Sequence, residues 1–326
     1  MQSRAGNGFP SPVEVGVIGG SGYTGRELLL LLGRHPGVEV AFATSRGEAG
    51  LASPCPGVPY TPPDEKRARE VEVLFLCLPH GKAADWVQRI PQGPRIVDLT
   101  ADHRPGSGRE AEAVFGLNEW NRPQVEEARL VANPGCYPTG VLLSLLPLLE
   151  AGVVDPHRLT VVNAASGVTG AGRAPRRDLL FAEVAGNFKA YGWGNRHRHL
   201  KEMRALMGSR LQILFQPHLL PLPRGILETI VLPVLPGVDA GRIQQVWSSR
   251  YQEEPVVQIL ADGLPELAAV VGTDRLVLGA VEAEETGAPV VLLGAALDNL
   301  GKGAAGQAVQ NLNAMQGWPT ELGLRL

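Results

Sequence analysis

Short apolar runs alternate with amphipathic stretches through the first half of the chain. Val13–Ile18, Val38–Thr44, 71–78, 95–99 and Leu130–Ala132 read as strands, with helices over 26–33 and 83–90. Near-continuous apolar strands separated by helices predict a parallel sheet covered on both faces. An apolar helical run over 141–149 follows, and then the texture changes. Residues 159–165, 211–216, 226–235, 256–260, 276–281 and Val290–Leu297 read as strands, and Ala240–Tyr251 is the clearest helix among them. This predicts a second domain built on a largely antiparallel or mixed sheet. The chain closes in a helical stretch over 304–315.

Composition narrows the class. With 326 residues the chain has length for two domains with their own cores. A net charge of −3 argues against a general nucleic-acid binder, which carries a basic face. Cys55, Cys77 and Cys136 form no CxxC pair and no metal-ligand spacing, so no metal is expected, and three scattered cysteines fit a reducing compartment. The polar, Gly/Pro-containing residues 1–12 lack an apolar signal core, and the leucine run 28–32 is too short to span a bilayer. A cytoplasmic location is expected.

Two turns carry candidate chemistry. Gly19-Gly20-Ser21-Gly22-Tyr23-Thr24-Gly25 follows the first strand and opens a helix. Its glycines differ in spacing from GxGxxG, but the physics is shared: backbone that can approach a pyrophosphate, and a helix N-terminus facing the anion. At the end of the second strand, where a preference for NAD calls for Asp or Glu, the chain reads Ala43-Thr44-Ser45-Arg46. A hydroxyl beside a guanidinium suits a 2′-phosphate, so NADP is expected. Leu78-Pro79-His80-Gly81 ends the third strand, where a doubly wound sheet meets its ligand.

The second turn is Asn133-Pro134-Gly135-Cys136-Tyr137-Pro138-Thr139-Gly140. It sets Cys136 before the helical run, with Pro138 suited to the first helical position. The helix dipole and unpaired N–H groups there favour a thiolate, the nucleophilic form. A free cysteine is usually a small buried hydrophobe, but a Pro-Gly turn at a strand-to-helix junction is a poor place for core packing.

The cysteine turn resembles the active-site signature of the N-acetyl-γ-glutamyl-phosphate reductases, relatives of aspartate-semialdehyde dehydrogenase. The resemblance continues through 19–25, Thr44-Ser45-Arg46, Leu78-Pro79-His80-Gly81, Asp98-Leu99-Thr100-Ala101-Asp102-His103-Arg104, 166–173, His197-Arg198-His199 and 298–307. It implies an α/β chain with a Rossmann-like NADP-binding domain over 1–139 plus 299–326. A mixed α/β catalytic and dimerisation domain of semialdehyde dehydrogenase type would cover 140–298. It further implies Cys136 as nucleophile and a histidine as acid/base, His199 first and His197 second. Arg104 and Asn133 would hold phosphate, and Arg198 the substrate α-carboxylate. Gly19, Ser21, Gly22, Tyr23, Thr24, Gly25, Ser45, Arg46, Leu78, Pro79, Ser166, Gly167, Asn299 and Lys302 would line the cofactor. The family continues His-Arg-His with Pro-Glu, whereas this chain reads Leu200-Lys201-Glu202.

The activity so implied is NADPH-dependent reduction of N-acetyl-γ-glutamyl phosphate through a cysteine thioester, in arginine biosynthesis, by a homodimer or homotetramer. Two alternatives stand beside it. One is a lysine-pathway reductase taking a 2-aminoadipate acyl phosphate from a small acidic carrier protein, a reading to which the cation of Lys201 lends a little weight. The other is an NADP-binding sensor without chemistry, which would need neither Cys136 nor the two histidines.

Overall fold

A computed structural model describes residues 11–326. The polar character of 1–10 therefore lies outside the described residues. The chain divides into two compact units.

Among the described residues, the first unit comprises 11–104, 109–133 and 308–324. Its sheet contains β1 (Val13–Ile18), β2 (Val38–Thr44), β3 (Tyr60–Thr61), β4 (Val73–Leu76), β5 (Arg95–Asp98), β6 (Val114–Phe115) and β7 (Leu130–Ala132), in spatial order β3-β2-β1-β4-β5-β7-β6. Every pairing is parallel, as the apolar strands require. The central strand β4 is buried along its whole length. Leu74 and Leu76 pack with Ile18, Trp86, Val87 and Ile96 in one of its clusters. The two-residue strands β3 and β6, and the helices Glu65–Glu70 and Asn118–Glu127, carry no hydrophobic period long enough to read from sequence.

The second unit comprises residues 105–108, 134–307 and 325–326. It holds β8 (Leu159–Ser166), β9 (Lys189–Ala190), β10 (Gln212–Leu219), β11 (Ile226–Pro233), β12 (Val257–Ile259), β13 (Leu276–Glu282) and β14 (Val290–Leu297), ordered β12-β13-β14-β11-β8-β10-β9. The sheet is mixed: β8–β10 and β12–β13 run parallel, the remaining pairs antiparallel. The apolar helix Cys136–Glu150 packs on β11 and β14. Alternate residues of β11 are buried, while Leu227, Thr229 and Val231 between them are only half-buried, so this sheet keeps one partly open face.

The family resemblance implies domain boundaries at 139/140 and 298/299. Contacts divide the chain at 133/134 and 307/308, because the whole cysteine helix lies on the second sheet. That helix also starts earlier than 141. Gly135 is its extended N-cap and Cys136 its first residue, so Pro138 is third rather than first. Thr139 N–H donates the first helical bond to Gly135 C=O at 3.1 Å. A proline at the third position is still tolerated, because no N–H of the first turn has an intrahelical partner.

Candidate active site

The dinucleotide turn lies in the first unit, between β1 and the helix Tyr23–Leu32. Gly19 has φ +84°, and a Cβ there would stand 2.5 Å from Cys77 O; a Cβ at Gly25 would stand 2.7 Å from Gly19 O. The chain's own backbone therefore demands both glycines. Gly22 differs. It is the helix N-cap with no side-chain capping bond, and a Cβ there would meet only Gly19 O, at 3.9 Å. Packing leaves that helix N-terminus open, which is the room a pyrophosphate needs. The turn is tied to the end of β2: Gly19 N–H donates to Thr44 Oγ1 at 3.1 Å, and the Ser21 and Ser45 hydroxyls bond at 2.8 Å. Tyr23 and Arg46 are exposed, Thr24 is half-buried, and Arg26 lies 3.8 Å from Glu48. The residues present fit a nicotinamide dinucleotide.

After β4, Leu78 is half-buried and Pro79 exposed. Asp102 accepts from the N–H groups of Gly81, Ala83 and Ala84, and so holds this turn at the start of the helix Ala83–Arg89. His80 Nδ1 accepts from Ala101 N–H at 2.9 Å, a structural tie. At the end of β5, buried Asp98 accepts from Thr100 N–H and contacts His103 Nδ1 at 2.7 Å. Arg104, also buried, donates to Leu99 C=O at 3.0 Å. Asn133 closes β7 by donating its N–H to Asp98 C=O, and its Oδ1 accepts from Asn311 at 3.0 Å.

The nucleophile candidate and both histidines lie together in the second unit. Cys136 is a half-buried thiol, in no disulfide, at the first position of a helix whose N-cap has no side-chain capping bond. Backbone N–H groups and the helix dipole there favour negative charge on sulfur. A Cβ added to Gly135 would lie 2.8 Å from His199 Nε2 and 2.9 Å from Glu202 Oε1. The imidazole and the carboxylate thus press on the Cα next to Cys136, and Glu202 Oε2 accepts the Gly135 N–H at 2.9 Å. Behind the cysteine, a Cβ on Gly303 would come within 2.9 Å of Cys136 Cβ, so the 301–305 turn backs the thiol only because that residue is glycine.

The two histidines have different surroundings. His197 Nδ1 accepts the His199 N–H at 3.2 Å. Burial, and then the charge of Arg198, push its pKa down to about 4. His197 is therefore neutral at pH 7. Its ring packs edge-on against Tyr137, Tyr191, Phe215 and His199. His199 is 4% exposed and caps the helix Leu200–Met207 with its Nε2 toward Gly135. Arg198 is exposed. That helix forms without the family's proline, since Leu200 takes its first position directly.

The remaining predicted cofactor residues are committed within the second unit. Ser166 Oγ donates to Gly167 C=O, and a Cβ on Gly167 would stand 2.6 Å from Arg224 N. Asn299 Nδ2 donates to Thr169 Oγ1 at 2.9 Å and its Oδ1 accepts the Gly225 N–H at 2.8 Å, which clamps the loop over 167–172. Lys302 is fully buried and donates to Gln307 Oε1 at 2.6 Å. Among the described residues, no group of three or more His, Cys, Asp or Glu could hold a metal, and no helix is long and apolar enough to cross a membrane.

Sequence reasoning missed three residues here. Glu202 stands three positions after His199, the helical spacing that brings two side chains to one face. Tyr137 Oη bonds Tyr191 Oη at 3.0 Å, a pairing across 54 residues that has no sequence signal. Glu228 is the third. Counting by two from Ile226 and Ile230 puts it on the helix-covered face of β11. It is 0% exposed, and neither carboxyl oxygen has a hydrogen-bond partner among the described residues. The cysteine helix reaches it because residue 140 is glycine: a Cβ there would lie 2.2 Å from Glu228 Oε2.

Burial pushes the Glu228 pKa well above the usual carboxylate range. The folded state therefore holds a proton that the unfolded state releases. The stabilisation is complete below the ordinary carboxylate pKa and is lost as pH rises toward the raised value, at about 1.4 kcal/mol per pH unit. Glu228→Gln removes this titration. Its melting temperature relative to the native chain is expected to climb as pH rises from weakly acidic to alkaline. Parallel melting curves across pH would refute the protonated, buried state.

Known proteins are similar to this chain over nearly its whole length. Residues 14–128 match the family model described as semialdehyde dehydrogenase, NAD binding domain, and residues 136–299 match that of the semialdehyde dehydrogenase dimerisation domain. An N-acetyl-gamma-glutamyl-phosphate reductase of Geobacter sp. (strain M21) is 41% identical over 96% of this chain and 98% of its own length. One from Laribacter hongkongensis is 42% identical with the same coverage. In fold, the chain is similar to aspartate semialdehyde dehydrogenase II of Vibrio cholerae, with TM-score 0.76, 17% identity, and coverage of 94% of this chain and 99% of that one. The Candida albicans aspartate semialdehyde dehydrogenase solved with NADP has TM-score 0.71 and 18% identity, covering 96% of this chain and 100% of that one. The chain belongs to the N-acetyl-γ-glutamyl-phosphate reductase family of semialdehyde-dehydrogenase-type oxidoreductases.

Proposed function

We propose that this protein reduces N-acetyl-γ-glutamyl phosphate to N-acetylglutamate semialdehyde and phosphate with NADPH, a step of arginine biosynthesis. The names of the 41–42% identical relatives support the substrate. The observation that carries the chemistry is Cys136 at an uncapped helix start, with the His199 imidazole against the adjoining Gly135.

Cys136 Sγ adds to the acyl carbon, and the carbon–oxygen bond to phosphate breaks with its electron pair leaving on phosphate. A thioester remains, which splits one hard step into two easier ones. His199 accepts the thiol proton and passes it to the departing phosphate. The Glu202 carboxylate beside the same Cα favours the positive charge this places on the imidazole. Arg104 and Asn133 hold the phosphate, and Arg198 the substrate carboxylate. The bound nicotinamide supplies the hydride that brings the acyl group to the aldehyde level. Cys136 is released as thiolate and regains its proton from solvent.

Gly19, Gly22, Gly25 and the helix N-terminus they expose hold the cofactor pyrophosphate, and Ser45 with Arg46 the 2′-phosphate. Arg46→Ala is expected to raise KM for NADPH about 10- to 100-fold, the range of a charge-assisted hydrogen bond, and to leave KM for NADH unchanged. Equal rises for both cofactors, or none, would remove the case for NADP. The dimerisation-domain match and the partly open face of the second sheet support a homodimer or homotetramer. The three free cysteines support a cytoplasmic location.

Assay of the purified chain with NADPH decides the substrate. Oxidation of NADPH is expected with N-acetyl-γ-glutamyl phosphate. Turnover only with aspartyl phosphate, or only with carrier-linked 2-aminoadipyl phosphate, would overturn the assignment.

A further inference from the structure

The C-terminal helix Gly306–Met315 turns a row of amides into the core of the first unit: Gln310, Asn311 and Asn313 are all fully buried. Amide groups are costly to bury unless each donor and acceptor is matched. Here the matches run in one direction. Asn311 Nδ2 donates to Gly116 C=O and to Asn133 Oδ1, each at 3.0 Å, and Asn118 Nδ2 approaches Asn311 Oδ1 at 3.4 Å.

The orientation of these amides is dictated by groups that have no choice. A backbone carbonyl can only accept, so the Asn311 nitrogen must face Gly116. A guanidinium can only donate, and Arg122 Nε reaches Asn118 Oδ1 at 3.0 Å. That turns Asn118 Nδ2 toward Gln310 C=O, at 3.3 Å, and toward Asn311 Oδ1. Flipping Asn311 would set its oxygen against the Gly116 oxygen and its nitrogen against that of Asn118. Flipping Asn133 would set its NH2 against the Asn311 NH2. Gly116 belongs to the same device: a Cβ there would lie 2.4 Å from Asn311 Nδ2 and 2.5 Å from Val131 Cγ1.

We propose that Asn311 is a positioning residue for the phosphate site: by donating to Asn133 Oδ1 it holds the Asn133 amide with its NH2 side turned to the anion. This rests on the reading of Asn133 as a phosphate ligand. An amide that presents NH2 attracts an anion, whereas one that presents its carbonyl repels it, so a single flip changes the sign of the contact. The Gly116 carbonyl, through Asn311, sets that sign before any ligand arrives.

The test uses the full chain in the aldehyde-oxidising direction, with inorganic phosphate as the varied substrate. Asn311→Leu keeps the volume and frees the Asn133 amide to take either orientation. Asn311→Asp offers Asn133 an acceptor and draws its NH2 inward. Phosphate KM is expected to rise about tenfold in the leucine variant and further in the aspartate variant, with KM for the aldehyde and for NADP unchanged. A merely structural role would lower stability and kcat and leave phosphate KM where it was, and that result overturns the proposal. Asn133→Leu separates the two readings. If it raises phosphate KM while both Asn311 variants do not, the positioning role fails and the phosphate site stands. If it does not raise phosphate KM, the phosphate assignment itself fails. Should neither Asn311 variant fold, Gly116→Ala displaces the same amide from the backbone side, and an unchanged phosphate KM there overturns the proposal equally.

Discussion

Cys136→Ser is expected to lose on the order of 10⁴-fold or more in kcat, while the dissociation constant for NADPH stays that of the native chain. Serine is close to isosteric, so helix and packing persist. What disappears is the sulfur nucleophile at a helix N-terminus. Binding of NADPH by fluorescence titration and a single-turnover reduction assay report the two quantities separately. Retained reduction in the serine variant would eliminate the thioester route. Retained cofactor binding without reduction in the native chain itself would instead point to a sensor without chemistry.

His199→Asn is expected to cost about 10²- to 10⁴-fold, the usual contribution of general acid–base catalysis. His197→Asn should cost far less, although the two rings are 4.7 Å apart. The contrast follows from their partners. His197 uses Nδ1 to accept a backbone N–H, and its pKa of about 4 leaves it unable to hold a proton at neutral pH. His199 directs Nε2 to the glycine before the nucleophile. A pH profile of kcat/KM supplies an independent check, because any titration governed by His197 falls near pH 4, well below the neutral range. A neutral-pH limb that vanishes in His197→Asn and survives in His199→Asn would reverse the assignment.

Several elements were readable from the chain alone. The edges of β1, β2, β7, β14 and the helix Ala240–Tyr251 agree with the apolar pattern residue for residue. The short pieces were not readable, because two-residue strands such as β3 and β9 exist only where a neighbour supplies the ladder. The helix start at Cys136 was placed too late for a related reason. Proline suits the first helical position, but the whole first turn lacks internal partners, so it tolerates Pro138 at the third position as well.

The site divides along the same line. Residue chemistry alone singled out Cys136 and the glycine turn, because few other roles need those types in those settings, and the family resemblance added the histidine pair. The family resemblance put His199 before His197, but residue type alone does not separate them, since the two differ in burial and in the partner of Nδ1. The internal bonds of two residues that the resemblance places at the cofactor, Asn299 with Thr169 and Gly225 and Lys302 with Gln307, were likewise not readable from the chain.

By itself the sequence determined the two-part α/β architecture, the family and the candidate for the nucleophile, because hydrophobic periodicity and turn glycines act over a few neighbouring residues. Only the tertiary structure decided which histidine lies against the glycine before Cys136, why Gly116, Gly140 and Gly303 are glycines, and that Glu228 is buried under the cysteine helix. Each of those depends on a close approach between segments far apart in the chain. Such an approach is set by packing and by the cost of leaving buried polar groups unmatched, and no local pattern encodes it.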